Sequence, residues 1–545
     1  MKNLLEKGTK CLIVQTEFSA LSFWNYVDVC KIAGAKYPAA PLSLLTVAAL
    51  LPKQWEIKLV DANVEPLMVE HFKWADIVCI GGMLPQQQSM IALIDKVHQY
   101  GCPVVVGGPD PSSQPHLYQS ADYLVQGEGE VTIPMFIEDL EKGCGSGEYK
   151  SDERADMTKA VVPRFDLIRF KNYIQVGIQY SRGCPFNCEF CDIIELYGRE
   201  SRTKTPTQVI KELQTLFDLG YRGHVDFVDD NFIGNKKNVK KVLPVIKEWS
   251  KAKKYPFYFS TESSINLADD ENLLQMMKDV DFRYVFVGIE TPEEEILKLT
   301  NKKINVNRSV QRSIEKIYSY GMIVNAGFII GFDSETDQTA KSMIQFIQNL
   351  GICMAMVGKL YALPNTQLTR RLEREGRLFE YDSIFSDPDT DLDQLTSGLN
   401  FITSRSRLDV LKDYNRVIKY IYTPENYYGR LIYTGLHLRP EYKYRPGIMR
   451  LLKNIKTFLK ICRIVGFNKT TGWLYWKAFL TVISKNPQAI EATINLAAMF
   501  IHFHKQSQFV IELTDNEIRS IEKYGLDIPQ RHLTRKPKEY GYERN

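Results

Sequence analysis

The first 141 residues alternate short aliphatic runs with stretches whose apolar residues recur at helical spacing. Runs at 11–14, 57–61, 77–81, 104–108 and 123–127 predict strands, and segments such as 42–51 and 88–100 predict helices between them. Regular alternation of the two predicts a doubly wound parallel sheet, whose ligands lie beyond the carboxyl ends of its strands. Those ends carry Gly81-Gly82, Gly107-Gly108-Pro109 and Gly127-Glu128-Gly129. Glycine there lets a backbone approach something large, although glycine after a strand is also common turn chemistry.

A polar, weakly patterned stretch over 142–163 reads as a linker. Alternation then resumes over 164–378. Strands are predicted at 174–180, 224–228, 257–260, 284–289, 324–330 and 354–361, with helices such as 206–219, 239–251 and 306–320 between them. Six such units predict a partial (β/α)6 barrel, with functional groups at the carboxyl ends of its strands. From 379 to 545 the pattern is mostly helical. The expected fold class is α/β: a Rossmann-like amino-terminal domain, a central partial barrel and a helical carboxy-terminal domain.

Composition changes this picture little. A chain of 545 residues accommodates about three domains. With 69 Lys and Arg against 65 Asp and Glu, its net charge gives no support for nucleic-acid binding. Seven of its ten cysteines are scattered without a pairing pattern, and the first ten residues lack the apolar core of a secretory signal, so a cytoplasmic location is expected. No apolar run reaches the roughly 18–20 residues of a membrane span. Local charge is more telling: between 441 and 480 there are nine Lys and Arg and one acid, interleaved with Ile448, Leu451, Leu452, Ile455, Phe458, Leu459 and Ile461. Spacing of three and four places many of these on one helix face. Two readings follow: peripheral contact of 441–503 with the inner face of an anionic membrane, or a solvated basic face over an ordinary core.

The chemistry concentrates in Cys184-Pro-Phe-Asn-Cys188-Glu-Phe-Cys191, a C-x3-C-x2-C run. Structural zinc sites are usually four-coordinate with ligands in separated pairs, and no partner pair occurs elsewhere. Three thiolates in one loop suit an iron–sulfur cubane with one iron left open. This stretch, with Phe190 before the third cysteine, closely resembles the radical S-adenosylmethionine (radical SAM) superfamily, in which S-adenosylmethionine chelates the open iron and is split by one electron to methionine and a 5′-deoxyadenosyl radical. The resemblance implies a [4Fe-4S] cluster on Cys184, Cys188 and Cys191, and an external one-electron reductant of flavodoxin or ferredoxin type.

The strand ends that follow resemble the family's cofactor segments in order. Asp229, Asp230 and Asn231 match the segment that meets the amino acid end of S-adenosylmethionine. Ser260 and Glu262 follow the third strand, and Glu290, after the fourth, is suited to accept from ribose hydroxyls. Gly327 and Gly331 match the segment beside the adenine. Each acid taken singly also reads as a helix cap.

Upstream, Val-Val-Val-Gly-Gly-Pro at 104–109 and the Gln-Gly-Glu-Gly-Glu at 126–130 resemble the cobalamin-binding domain that precedes many radical SAM cores. The cobalt-ligating pattern Asp-x-His-x-x-Gly is absent, and His71, His98 and His116 stand in other contexts, so the resemblance implies base-off cobalamin without a motif histidine. Phe23-Trp-Asn-Tyr26, residues 34–42, Gly398-Leu-Asn-Phe401 and residues 420–429 extend the likeness to hopanoid C-2 methylase-like proteins over nearly the whole chain. The implied activity is methylation of an unactivated carbon, in a lipid or isoprenoid such as a hopanoid. Two alternatives stay open: a non-methylating radical enzyme that cyclises, oxidises or rearranges a small metabolite, and a sensor that binds the cofactors without turnover.

Overall fold

A computed structural model describes residues 8–18, 21–379 and 398–525. Residues 1–7 and 19–20 of the expected first domain, and 380–397 and 526–545 of the expected last one, lie outside the described residues. In chain order the first strands are β1 (Lys10–Gln15), β2 (Tyr37–Ala39), β3 (Glu56–Asp61), β4 (Ile77–Gly81), β5 (Val104–Gly107), β6 (Tyr123–Val125) and β7 (Gly147–Tyr149). They are followed by β8 (Tyr173–Ile178), β9 (Ser181–Arg182), β10 (Arg202–Thr203), β11 (Gly223–Phe227), β12 (Phe257–Glu262), β13 (Phe282–Glu290), β14 (Ile323–Ile330) and β15 (Ala355–Lys359).

Six strands form one parallel sheet in the order β3-β1-β4-β5-β6-β7. The order reverses on either side of β1, which makes a ligand crevice between the carboxyl ends of β1 and β4. Both faces are buried, and the two-residue period of a strand separates them. Leu12 and Val14 pack with Val78, Ile80, Val104 and Val106 on one face. Cys11, Ile13, Ile77, Cys79 and Val105 belong to the core on the other face, which runs without a break into the second sheet.

The second sheet is also parallel, in the order β15-β14-β13-β12-β11-β8-β2. Its last six strands by chain position are the expected half-barrel. Two short strands depart from the sequence reading. β2, from the amino-terminal region, pairs with β8 and gives the half-barrel a seventh strand that covers its edge. β7 lies in the polar stretch read as a linker, and pairs with β6 as the edge of the first sheet.

Among the described residues of the carboxy-terminal region there are five α-helices: Arg407–Ile421, Pro424–His437, Ile448–Ile461, Gly472–Lys485 and Ile490–Tyr524. The last of these is 35 residues long and packs on the segment at residues 22–28. Phe503 packs on Phe23 with ring centroids 4.9 Å apart, His502 Nε2 lies 2.9 Å from the Ser22 carbonyl, and Lys505 pairs with Asp28 at 3.0 Å. Residues 22–28 and the helix Ile490–Tyr524 thus meet beside the half-barrel.

Candidate active site between the two sheet ends

The cysteine loop follows β8 and is held on every side. Asp229, at the end of β11, accepts from the backbone N–H of Tyr180 at 3.3 Å and from that of Ser181. Asp230 accepts from Gly183 N–H at 3.0 Å, and the Asn231 amide points to Cys184 Sγ at 3.9 Å. Farther along, the backbone N–H of Glu189 bonds the Thr300 carbonyl at 3.0 Å, and Leu368 N–H bonds the Glu189 carbonyl at 2.8 Å. Arg371 grips the Glu189 carboxylate at 2.7 Å, and Gln367 bonds Asn187 at 2.9 Å. The acidic strand-end residues therefore organise the loop that carries the cysteines. Burial raises Asp229 to about 7 and Asp230 to about 6, against the opposing effect of the N–H groups they accept from.

Burial likewise pushes the thiols of Cys184, Cys188 and Cys191 above the ordinary range, with the ammonium of Lys302 opposing it at Cys184 and Cys188. Lys302 had no signal in the sequence. It pairs with Glu290 at 2.7 Å, with both side chains mostly buried, and stands 6.0 Å from the Phe190 ring centre. Glu290 closes β13 beyond a register shift and holds φ at +71°, a left-handed conformation that costs a non-glycine residue energy. Phe190 in turn meets Phe332 edge-on at 5.9 Å. Among the described residues no three His, Cys, Asp or Glu side chains converge on a single metal-ion position. A cubane does not need this, because each thiolate takes a different iron. Three thiols from one loop, faced by a cation, fit such a cluster.

The hollow of the half-barrel is lined by alternate residues of its strands. Val228 and Glu262 remain exposed at its rim, and Trp24 from the amino-terminal segment, also exposed, meets Phe286 of β13 at 5.2 Å. Water reaches the Glu262 carboxyl, yet the surrounding protein and the carboxylates of Asp226, Asp230 and Asp229 raise it to about 8. Ser260 sits deeper than the sequence suggested: its hydroxyl donates to Asp226 and meets His224 Nε2 at 2.7 Å. Burial lowers His224 to about 3, so the ring is neutral. The strand period places His224 and Asp226 on one face, a legible signal that motif reading passed over. Gly327 faces the Phe286 ring, where a Cβ would stand 3.2 Å from it. Gly331 has φ +118° and donates its N–H to Glu335 at 2.8 Å.

On the first sheet, the glycines at the strand ends let neighbouring loops close on each other. A Cβ on Gly108, which has φ +111°, would lie 2.8 Å from the Gly82 carbonyl oxygen; one on Gly107 would lie 2.9 Å from that of Val125. Gly81 lies beside Leu44 and Gly129 beside Ile133, and a Cβ on Gly127, at φ +77°, would meet the Ser151 carbonyl oxygen at 3.9 Å. Pro109 begins the short helix Pro109–Ser113. Glu128 is taken up by protein: Arg182 reaches it at 2.7 Å and Arg202 at 2.8 Å, while Arg182 also pairs with Glu130 at 2.9 Å. Asn365, after β15, donates to the Ser113 carbonyl at 3.1 Å. These bonds join loops at the carboxyl ends of the first sheet to loops at the carboxyl ends of the second. His98 instead pairs with Asp122 at 2.9 Å, before β6 and away from these loops, and His71 Nδ1 accepts from Met68 N–H at 3.1 Å.

Two parallel sheets with joined ligand-binding ends, one carrying a three-cysteine loop after β8, form a site for cofactors. Residues 178–347 match the Radical SAM superfamily and 30–137 the B12 binding domain; 366–516 match a domain of unknown function, DUF4070. The chain is 38% identical over 501 residues to an uncharacterized methyltransferase of Synechocystis, covering 91% of this chain and 92% of that one. It is 39% identical to the hopanoid C-2 methylase of Rhodopseudomonas palustris, covering 64% and 67%. Among solved structures, the cobalamin-dependent S-adenosylmethionine radical enzyme OxsB aligns with a TM-score of 0.57 over 96% of this chain and 82% of that one, at 15% identity. The radical S-adenosylmethionine methyltransferase TsrM from Kitasatospora setae aligns with 0.56 over 68% and 76%, at 16% identity. The chain belongs to the cobalamin-dependent radical SAM methylase family, and its cofactors are a [4Fe-4S] cluster, S-adenosylmethionine and cobalamin.

Proposed function

We propose that this methyltransferase acts on an unactivated carbon of a lipid-soluble isoprenoid, with a polycyclic hopanoid as the first candidate. When bound, the cofactors would relay an electron and supply a hydrogen-abstracting deoxyadenosyl radical and a methyl group. The observation that carries the reading is the joining of the two sheets' carboxyl ends through Arg182, Glu128, Glu130 and Asn365. It keeps the loop of Cys184, Cys188 and Cys191, which we assign as the cluster ligands, beside the glycine loops assigned to cobalamin. Those loops offer no motif histidine, and would hold a corrin through the close backbone approach that Gly82, Gly107 and Gly108 allow. Asp229, Asp230 and Asn231 orient the cysteine loop, and Glu262 and Glu290 line the remaining S-adenosylmethionine contacts. Trp24, Phe286 and Val228 offer an apolar wall to the substrate and exclude water from the reacting carbon. A flavodoxin- or ferredoxin-type protein delivers the electron.

The lipid class is supported by that wall and by the relative named hopanoid C-2 methylase. Reconstituted enzyme, a reductant and methyl-labelled S-adenosylmethionine, incubated with bacterial lipid extract, are expected to yield labelled hopanoid by mass analysis. Deoxyadenosine formed without S-adenosylhomocysteine or any labelled lipid overturns the reading.

A further inference from the structure

The basic, apolar segment after residue 447 resolves in favour of an uncovered face. Within the helix Ile448–Ile461, Ile448, Leu452, Ile455 and Leu459 follow spacings of four, three and four, so they share one face. That face is open: Ile448 is 79% exposed, and neighbouring Met449 81%. Phe467 and Trp473, in the turn and helix that follow, are 77% and 75% exposed. Eleven of the twenty-three exposed large hydrophobic residues among those described fall between 448 and 483, a concentration unlike scattered surface leucines. The helix is anchored on its other sides, by Phe458 against Phe479 at 6.0 Å, Arg450 to the Arg222 carbonyl at 2.6 Å and Lys453 to the Gly34 carbonyl at 3.4 Å.

Charge selects the occupant. Between 448 and 485 the sequence has eight Lys and Arg and no Asp or Glu. Arg450 and Lys453 turn towards protein carbonyls, whereas Lys456 and Lys460 flank the apolar face, and Arg463, Lys469, Lys477 and Lys485 beyond them are exposed as well. A basic stripe flanking an exposed aliphatic and aromatic edge complements a surface that is anionic at its headgroups and apolar beneath. No helix among the described residues is long and apolar enough to cross a membrane, so contact of this kind is with one face.

We propose that helix Ile448–Ile461, with Phe467 and Trp473, docks this enzyme on the surface of an anionic phospholipid bilayer. The helix lies at the amino end of the half-barrel, since Arg222 precedes β11 and Lys443 and Tyr444 N–H bond Asp281, which precedes β13. The cysteine loop is at the opposite end, so docking leaves the path of a soluble reductant to the cluster clear. The proposal does not depend on the substrate's identity, because docking needs no substrate.

The test is flotation of the full-length, cluster-loaded protein with vesicles of phosphatidylcholine alone or of phosphatidylcholine with an equal share of phosphatidylglycerol. Wild type is expected to float with the anionic vesicles and to be released by high salt. The combined variant Met449→Ser, Leu452→Ser, Trp473→Ser changes only exposed side chains, and is expected to float about ten-fold less while keeping its circular dichroism and its substrate-free deoxyadenosine formation. Equal flotation of variant and wild type, or none of either, overturns the proposal. So does a wild-type dimer in solution that these substitutions dissociate, because a second copy would then cover the face.

Discussion

Gly183 illustrates a demand that one residue places on the chemistry. Its φ is +88°, and a Cβ there would lie 2.5–3.2 Å from the backbone carbonyl oxygens of Glu200, Gly198 and Tyr197. No side chain fits, and the neighbouring Cys184 is held by this turn through its N–H to the Gly198 carbonyl at 3.3 Å. Gly183→Ala is expected to lower bound iron several-fold after reconstitution, with helix content unchanged; iron analysis beside circular dichroism checks it. Glu335 makes a different prediction. Burial raises its carboxyl from 4.5 to about 8, against the N–H groups of Gly331 and Phe332. The folded state therefore keeps the proton that the unfolded chain releases, and stability falls as pH rises from about 4.5 towards 8, by up to roughly 1.4 kcal/mol per pH unit. Glu335→Gln, which retains an acceptor for Gly331, removes this slope, so its stability relative to wild type should climb over that window in denaturant titrations. The cysteines were legible because their spacing is local. Lys302 was not: it reaches Glu290 across a loop and a helix, and nothing adjacent to it marks that contact.

At the level of elements, the segment after β6 and the cluster loop act as one unit. Glu128 is buried, and its carboxylate compensates two guanidinium groups, those of Arg182 and Arg202. Removing one partner of a buried pair leaves charge without compensation, at a cost of about 3–5 kcal/mol. Glu128→Ala is expected to destabilise the protein by an amount of that order in urea unfolding, and to weaken iron retention because Arg182 directly precedes Gly183. A simple cobalamin contact at Glu128 would instead alter corrin binding and leave stability unchanged. Most strands were readable from aliphatic runs bounded by glycine, since both faces of the first sheet and one face of the second are buried. β2 and β7 were not, because three residues of Tyr-Pro-Ala or Gly-Glu-Tyr carry no periodicity, and pair only because an edge is available.

Across the whole molecule, residues 22–28 and the helix Ile490–Tyr524 meet beside the half-barrel, with Trp24 packed on Phe286. Trp24→Ala should leave cluster assembly and substrate-free deoxyadenosine formation intact while lowering methylated product per deoxyadenosine several-fold, which parallel quantification of the two products checks. A fall in both together would place Trp24 in the cofactor site instead. By itself the sequence determined the class of chemistry and the succession of folds, because a cluster loop and buried parallel strands are written in short-range spacing. Only the tertiary structure decided which acids serve as braces and which line the hollow, and that the apolar face of the basic helix is uncovered among the described residues. Those outcomes depend on contacts between residues hundreds of positions apart, where burial and pairing are properties of the assembled chain.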